Sequence, residues 1–268
     1  MSKLKVLFFG DIFSQPGIDT VEKCLPELKA KFKPDFIIAQ GENISGRKGL
    51  KQKDYLKLKE LGINAFTMGN HVWAQGEIFD YIENSDIIRP LNIDSDYPGV
   101  GAKVFDIKGK KLLVISLMGV AFNPLLAPWK QDAPNNFFDY FDEEIKKHNY
   151  NFVFVDFHGE TTSEKNVFGL YVDGIADAVC GTHTHVQTSD ARQLPNGTLF
   201  ITDVGMCGPQ DSAIGANYDE VYSNMRFGTR MRFKVSPNNT QLNAVFLTLN
   251  TNKKKAKIKV INRRNVLA

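Results

Sequence analysis

Histidine is scarce in this chain, with five in 268 residues, and two of them stand two apart. His183 and His185 lie in "CGTHTHVQT", directly after the apolar run "GIADAV". His158 closes "NFVFVDFHGE", and His71 follows Asn70 in "MGNHVW". Carboxylates and amides fall in matching places, with Asp11 in "FFGDIF" and Glu42 and Asn43 in "AQGENIS". Each group follows an apolar run and has a glycine beside it, which permits a tight turn or a close backbone approach. Together they make an N/O donor set without sulfur, suited to Mn, Fe or Zn rather than to a thiolate site. In an extended chain, residues i and i+2 face the same way, about 7 Å apart. Two imidazoles so spaced can each serve a different ion of a pair roughly 3.5–4 Å apart, with a carboxylate such as Glu42 bridging them. A helical HExxH, which aims both nitrogens at one ion, is absent.

Taken singly, each feature has an ordinary explanation. Asp11 could cap a helix, Glu42 and Asn43 could form a turn, and His158 could be a hydrogen-bonded core histidine. His148, in "EEIKKHNY", reads as a surface helix residue. The joint occurrence decides for a site, because independent accidents would not all fall at strand ends.

The elements that would position these groups are legible. "LKVLFFGD" is a buried strand running into a loop. A helix over "GIDTVEKCLPELKAKF" follows, bent or split at Pro26, then the strand "DFIIAQGEN", the amphipathic helix "KDYLKLKELG" and the strand "NAFTMGNHVW". This βαβαβ order implies parallel strands with right-handed crossovers. "AKVFDIKGKKLLVISLMG" is an antiparallel hairpin turning at Lys-Gly-Lys, after which "FDYFDEEIKKH", "NFVFVDFHGE", a helix and "DAVCGTHTH" resume the α/β pattern. From "GTLFITDVG" onward the chain reads as mostly strand, with "SPNNTQ" as a hairpin turn. In open α/β sheets ligands bind outside the carboxyl ends of the strands, which is where the donor residues fall. One mixed α/β domain over residues 1–268 is expected.

Composition limits the alternatives. The three cysteines lack CxxC spacing and cannot all pair, which argues for a reducing, cytoplasmic setting. No apolar run approaches the ~18 residues of a membrane span. The net charge of +3 conceals an uneven distribution: "KKKAKIKVINRR" carries seven of the 33 basic residues, leaving 26 against 30 acidic ones. This basic stretch could bind nucleic acid, but "AKIKVIN" alternates like an edge strand, where lysines commonly block unwanted pairing.

The order GD, GEN, GNH, a lone histidine after a strand, and GTHTH resembles the metallophosphoesterase superfamily. "GDIFSQPG", "GENISGRKGL", "GNHVW", "DFHGE" and "GTHTHVQT" resemble its YmdB branch in particular. The resemblance implies a four-layer α/β/β/α sandwich of the calcineurin-like type with mixed sheets, a dinuclear Fe/Mn-type site, and phosphodiesterase activity on 2′,3′- or 3′,5′-cyclic nucleotides. By motif, Asp11, Asn43 and His185 would hold the first ion. Asn70, His158 and His183 would hold the second, Glu42 would bridge, and His71 would stand outside both. The D-x-H of the wider superfamily is here "DIF", so Phe13 cannot ligate and Asn43 is its substitute.

A water shared by two cations has its pKa lowered toward about 7, and the resulting hydroxide would attack phosphorus in line with the leaving ribose oxygen. His71, beside a ligand but not consumed by a metal, is the natural general acid. Arg47 and Lys48 in "ISGRKGL" could meet a phosphate or could be solvated charge, and the glycine-rich "MCGPQDSAIG" could line the pocket or be a surface loop. A phosphomonoesterase, an RNA-directed nuclease on the same ions, and a metal-stabilised RNA-binding regulator with residual activity remain alternatives, and a homo-oligomer stays open. A metal-dependent amidohydrolase also uses HxH, but early, at the end of the first strand of a barrel.

Overall fold

The computed structural model describes residues 2–267. Strand and helix alternate first: β1 (Lys3–Phe9), β2 (Asp11–Ile12), α1 (Ser14–Phe32), β3 (Phe36–Gln40), α2 (Gln52–Leu61), β4 (Ala65–Thr67) and β5 (Ile87–Ile88). The hairpin β6 (Ala102–Ile107) and β7 (Lys110–Met118) precedes α3 (Phe137–Glu144), β8 (Phe152–His158), α4 (Thr162–Tyr171) and β9 (Ala178–Thr182). Then come β10 (Arg192–Gln193), β11 (Leu199–Ile201), β12 (Met206–Pro209), α5 (Tyr218–Phe227), β13 (Thr240–Asn250) and β14 (Lys257–Arg263).

These strands form two mixed sheets, ordered β2-β12-β13-β1-β3-β4-β5 with β14 on β13, and β10-β11-β9-β8-β7-β6. β1, β3, β4 and β5 run parallel in the first sheet, and β7, β8, β9 and β11 in the second. Parallel strands covered on both faces read as continuous apolar runs, and successive side chains serve different layers. Val6, Phe8, Ile38 and Ala65 meet Leu112, Val114, Phe154 and Ala178 between the sheets, where Phe8 and Phe154 cross edge to face at 4.9 Å. Leu7, Phe9, Ile37 and Phe66 turn the other way onto Val21, Leu25 and Leu28 of α1 and Leu58 of α2. Beyond the second sheet, Val153, Val155 and Phe157 pack on Phe141 of α3 and Phe168 of α4. The result is the α/β/β/α layering.

The carboxyl ends of β3 and β4 lie against those of β7 and β8: Thr67 Oγ1 donates to Asp156 Oδ2 at 2.5 Å, and Ser116 Oγ to the Met68 carbonyl at 2.7 Å. A single rim therefore gathers the strand ends of both sheets.

Four expectations need correcting. The stretch after β12 is not mostly strand, since it contains the helix α5. "SPNNTQ" leads into β13 rather than joining a hairpin, and Val235 before it makes only an isolated bridge to Ala216. Pro26 does not split α1, which runs unbroken to Phe32. His148 lies past the end of α3, paired with Glu144 at 2.7 Å. The basic strand β14 pairs with β13 alone, as an edge strand should. Cys24, Cys180 and Cys207 are buried free thiols. Among the described residues no helix is long and apolar enough to cross a membrane.

Candidate metal centre

All eight side chains singled out from the sequence converge on the shared rim. Around His158 Nε2 stand Glu42 Oε1 at 3.0 Å, His183 Nδ1 at 3.0 Å and Asn70 Oδ1 at 3.1 Å. One ring nitrogen carries at most one proton, so it can satisfy only one of these three lone-pair atoms. A second group forms around His185 Nε2, with Asn43 Oδ1 at 3.2 Å and Asp11 Oδ1 at 3.6 Å. The longer distance is no hydrogen bond, and Asp11 Oδ1 is buried without any partner. A buried carboxylate oxygen left unpaired is unfavourable by a few kcal/mol, unless a cation meets it. Glu42, His158 and His183 also bring ligand atoms within 4.8 Å of one another. The donors present fit divalent metal ions.

Surrounding groups turn the lone pairs inward. His185 Nδ1 donates to the Ile214 carbonyl at 2.9 Å, which leaves Nε2 as the acceptor. Asn43 Nδ2 donates to the Arg47 carbonyl at 2.8 Å and leaves Oδ1 facing His185. Thr182 Oγ1 donates to Asp156 Oδ1 at 2.7 Å and lies 2.9 Å from His158 Nδ1. Nδ1 thus has polar partners of its own, with Gln40 Nε2 also 3.1 Å away, and Nε2 is the nitrogen left facing Glu42, His183 and Asn70, as in metal-bound histidines oriented by outer contacts. Gln40 Oε1 accepts the Glu42 amide at 3.0 Å and fixes the start of its turn.

The charges within the cluster act on one another, and burial pushes the Asp11 carboxyl up. Burial pushes Glu42 up, but the histidines around it, His158 first, hold its carboxyl well below the usual range. Burial also opposes charge on His158, yet Glu42 and Asp11 raise it to about 9. His183 is pushed down to about 3 by burial and by His158. It is therefore a neutral donor.

The HxH pair reaches this arrangement by a different backbone from the one its spacing suggests. β9 ends at Thr182, and His183 and His185 lie beyond it with φ of 102° and 64°, not on an extended strand. Such left-handed conformations are unfavourable for a side-chain-bearing residue by roughly 1–3 kcal/mol each. Polar contacts hold them: the His183 amide donates to Asp11 Oδ2 at 3.2 Å and the Thr184 amide to Asp203 Oδ2 at 3.0 Å. Lys165 Nζ, itself buried, donates to Asp203 Oδ2 at 2.9 Å and to the Thr182 carbonyl at 2.8 Å. Lys165, Asp203, Asp156, Gln40 and Thr182 escape a reading of the sequence. The only signal for Asp156, Asp203 and Gln40 is a polar residue within or closing an otherwise apolar run.

Gly69 is the glycine of "MGNH", and a β-carbon there would overlap the His158 ring and the Glu42 carboxylate. Phe13, at the position of the superfamily histidine, packs edge-on against His185 with ring centroids 5.7 Å apart. In front of the donors opens a cavity of about 560 Å³. Glu42, Asn43, His71 and His185 line its polar side, and Ile214, Met225 and Phe233 its apolar side. Arg47 and Lys48 also line it, and so does the end of the glycine-rich segment, at Ala213 and Ile214.

A family model described as YmdB-like protein matches residues 7–261. The chain belongs to this YmdB-like family. A relative from Bacillus subtilis strain 168, named 2′,3′-cyclic-nucleotide 2′-phosphodiesterase, is 42% identical over 254 residues, 94% of either chain. A crystal structure from Mycoplasma pneumoniae, described as a novel phosphatase, superposes on this YmdB-like chain with a TM-score of 0.90 at 39% identity, covering 98% of this chain and 94% of that one. A 5′-nucleotidase precursor from Thermus thermophilus shares the fold, with a TM-score of 0.62 at 12% identity over 98% of this chain and 55% of its own.

Proposed function

We propose that this chain is a phosphodiesterase that opens 2′,3′-cyclic nucleotides with a pair of bound metal ions, iron or manganese, in the cytoplasm. The observation that carries the reading is the buried, partnerless Asp11 Oδ1 facing His185, beside the Glu42–His158–His183 group. Asp11, Asn43 and His185 would hold one ion and Asn70, His158 and His183 the other, with the Glu42 carboxylate between the two groups. Bound cations supply Lewis-acid charge and a water of lowered pKa. The name of the Bacillus relative supports the substrate class and the 2′ position of the bond cut. Water adds across the P–O2′ bond, leaving a 3′-phosphate and a 2′-hydroxyl.

His71 protonates the leaving O2′. Its amide is anchored on Glu42 Oε2 at 2.9 Å, and Asn70 Nδ2 lies 3.3 Å from its Nδ1, which leaves Nε2 as the ring nitrogen available to the cavity. Burial holds the His71 pKa below its ordinary value of 6.5, with Glu42 pulling the other way. A phosphate anion in the cavity favours the protonated ring and offsets that burial. Arg47 and Lys48 meet the remaining phosphate charge. Three free, buried thiols suit a reducing compartment.

A second reading, monoester hydrolysis, is favoured by the description of the Mycoplasma structure as a phosphatase. Metal content of protein purified without chelators, with rates on 2′,3′-cyclic AMP, 3′,5′-cyclic AMP and p-nitrophenyl phosphate, tests both. About two ions per chain and preference for the 2′,3′-cyclic ester are expected. One ion or none, or a faster monoester, refutes the first reading.

A further inference from the structure

Beyond the donor cluster, α5 and the segment after it show an unusual pattern, "MRFGTRMRFK", in which Met225, Phe227, Met231 and Phe233 interleave with Arg226, Arg230, Arg232 and Lys234. This segment is far from buried: Met225 is 82% exposed, Phe227 66% and Met231 50%. Apolar side chains left in water beside cations are the usual surface for a single-stranded nucleic acid, whose bases stack and whose phosphates pair. Two features connect it to the catalytic cavity. Met225 and Phe233 line that cavity, and Arg232 is near enough to Arg47 for the two guanidiniums to repel. A second groove of about 380 Å³ also opens directly beside the first, sharing Ala213, Val221 and Met225 with it. Its floor carries Tyr218 and Tyr222, stacked at 5.3 Å with planes 20° apart, and Arg226 over the Tyr222 ring.

Position more than charge pairing separates this strip from the basic C-terminal strand: Met225 and Phe233 of the strip line the catalytic cavity, whereas Lys234 in it is itself paired with Glu220 at 3.4 Å. In the C-terminal region Lys253 is bound to Asp177, Arg263 to Glu27 and Arg264 to Asp211, at 2.6, 2.7 and 2.6 Å. Among the described residues, Arg47, Lys48, Arg230 and Arg232 form no ion pair with an acid within 4.0 Å. Unpaired cations beside stacked aromatics complement a phosphodiester chain, not a peptide or an apolar ligand.

We propose that the substrate is the 3′ end of a single-stranded RNA closed as a 2′,3′-cyclic phosphate, the penultimate base lying in the Tyr218–Tyr222 groove and the backbone on Arg230 and Arg232. The proposal rests on the cyclic-phosphodiesterase reading of the same site. The terminal nucleotide occupies the catalytic cavity, and the chain leaves across α5. The chemistry is unchanged, with one water consumed, the P–O2′ bond broken and the O2′ protonated.

Binding and turnover together form the test. Fluorescence anisotropy measures penta-adenylate with a 3′-phosphate against adenosine 3′-phosphate as competitor, and 2′,3′-cyclic AMP hydrolysis is read on the same preparation. The pentamer should bind at least about tenfold tighter, the increment expected of one stacked base. Tyr218→Ala should remove most of that excess. Arg230→Gln/Arg232→Gln should flatten the dependence of log affinity on log salt by about 1.4, two contacts at ~0.7 each for a single strand. Equal affinity for pentamer and mononucleotide, or loss of both in equal measure on Tyr218→Ala, overturns the proposal. Tight pentamer binding without hydrolysis of 2′,3′-cyclic AMP supports the strip while refuting the catalytic reading.

Discussion

Lys165→Met is the most informative perturbation of the HxH turn. Lys165 and Asp203 are 1% and 0% exposed, so their 2.9 Å ion pair is hardly screened by solvent. Removing one partner of a buried pair destabilises by about 3–5 kcal/mol, because the other charge is left unmatched. Asp203 would keep two amide donors, Thr184 at 3.0 Å and Gly205 at 2.8 Å. This puts the expected loss at the lower end, about 3 kcal/mol. At the average unfolding entropy per residue, that lowers the melting temperature of a chain this long by roughly 5 °C. The functional loss should exceed the stability loss. The pair holds the Thr182 carbonyl and the Thr184 amide on either side of His183, and a ligand displaced by about 1 Å reduces turnover roughly 10²-fold. Urea unfolding, metal content per chain and initial rates on 2′,3′-cyclic AMP should be measured on Lys165→Met, Asp203→Asn and the double variant. Removing both charges should restore about 1–3 kcal/mol relative to the sum of the single losses. A Lys165→Met protein as stable as the wild type, with its full complement of metal, would refute the argument that this pair holds the turn.

Other perturbations separate roles within the site. His71→Ala should retain metal and lose about 10²–10⁴-fold in kcat; a loss of metal in proportion to rate would make His71 structural instead. Gly69→Ala should fold yet hold less metal, since the added methyl displaces His158 and Glu42; metal analysis beside circular dichroism distinguishes this from misfolding. Asp86 joins the two halves of the sandwich, bound by Lys59 at 2.6 Å and Lys103 at 3.0 Å. Burial pushes its carboxyl up, but the two lysines outweigh that and hold it below 3.8. A depressed carboxyl stabilises above its unfolded pKa and ceases to do so as pH falls through the folded one. Asp86→Asn should thus reduce stability by about 1 kcal/mol at pH 7, and the gap from wild type should close as acid protonates the native carboxyl; a gap independent of pH would refute the pairing.

The sequence by itself determined which polar residues end the buried strands and in what order. The donors Asp11, Glu42, Asn70, His158 and His183 each follow an apolar run long enough to be a strand, and glycines sit where the chain must turn. Local pattern suffices there, because a parallel strand buried on both faces has no choice of residue type. The same logic made the lysines of β14 legible as an edge strand. The helix α5 was not legible, since its exposed Met225 and Phe227 break the apolar stripe on which periodicity depends. Nor was the backbone of the HxH turn: i, i+2 spacing suggests an extended strand, whereas His183 and His185 adopt positive φ. Only the tertiary structure decided that, because the turn is held by Lys165 and Asp203 from α4 and the loop after β11. Contacts between residues 17 to 38 positions apart leave no periodic trace in a chain. The convergence of two carboxyl edges into one site has the same origin. The first sheet supplies Asp11, Glu42, Asn43 and Asn70 and the second His158, His183 and His185, and it is the burial of Phe8 against Phe154, with its neighbours, that brings the two sets together.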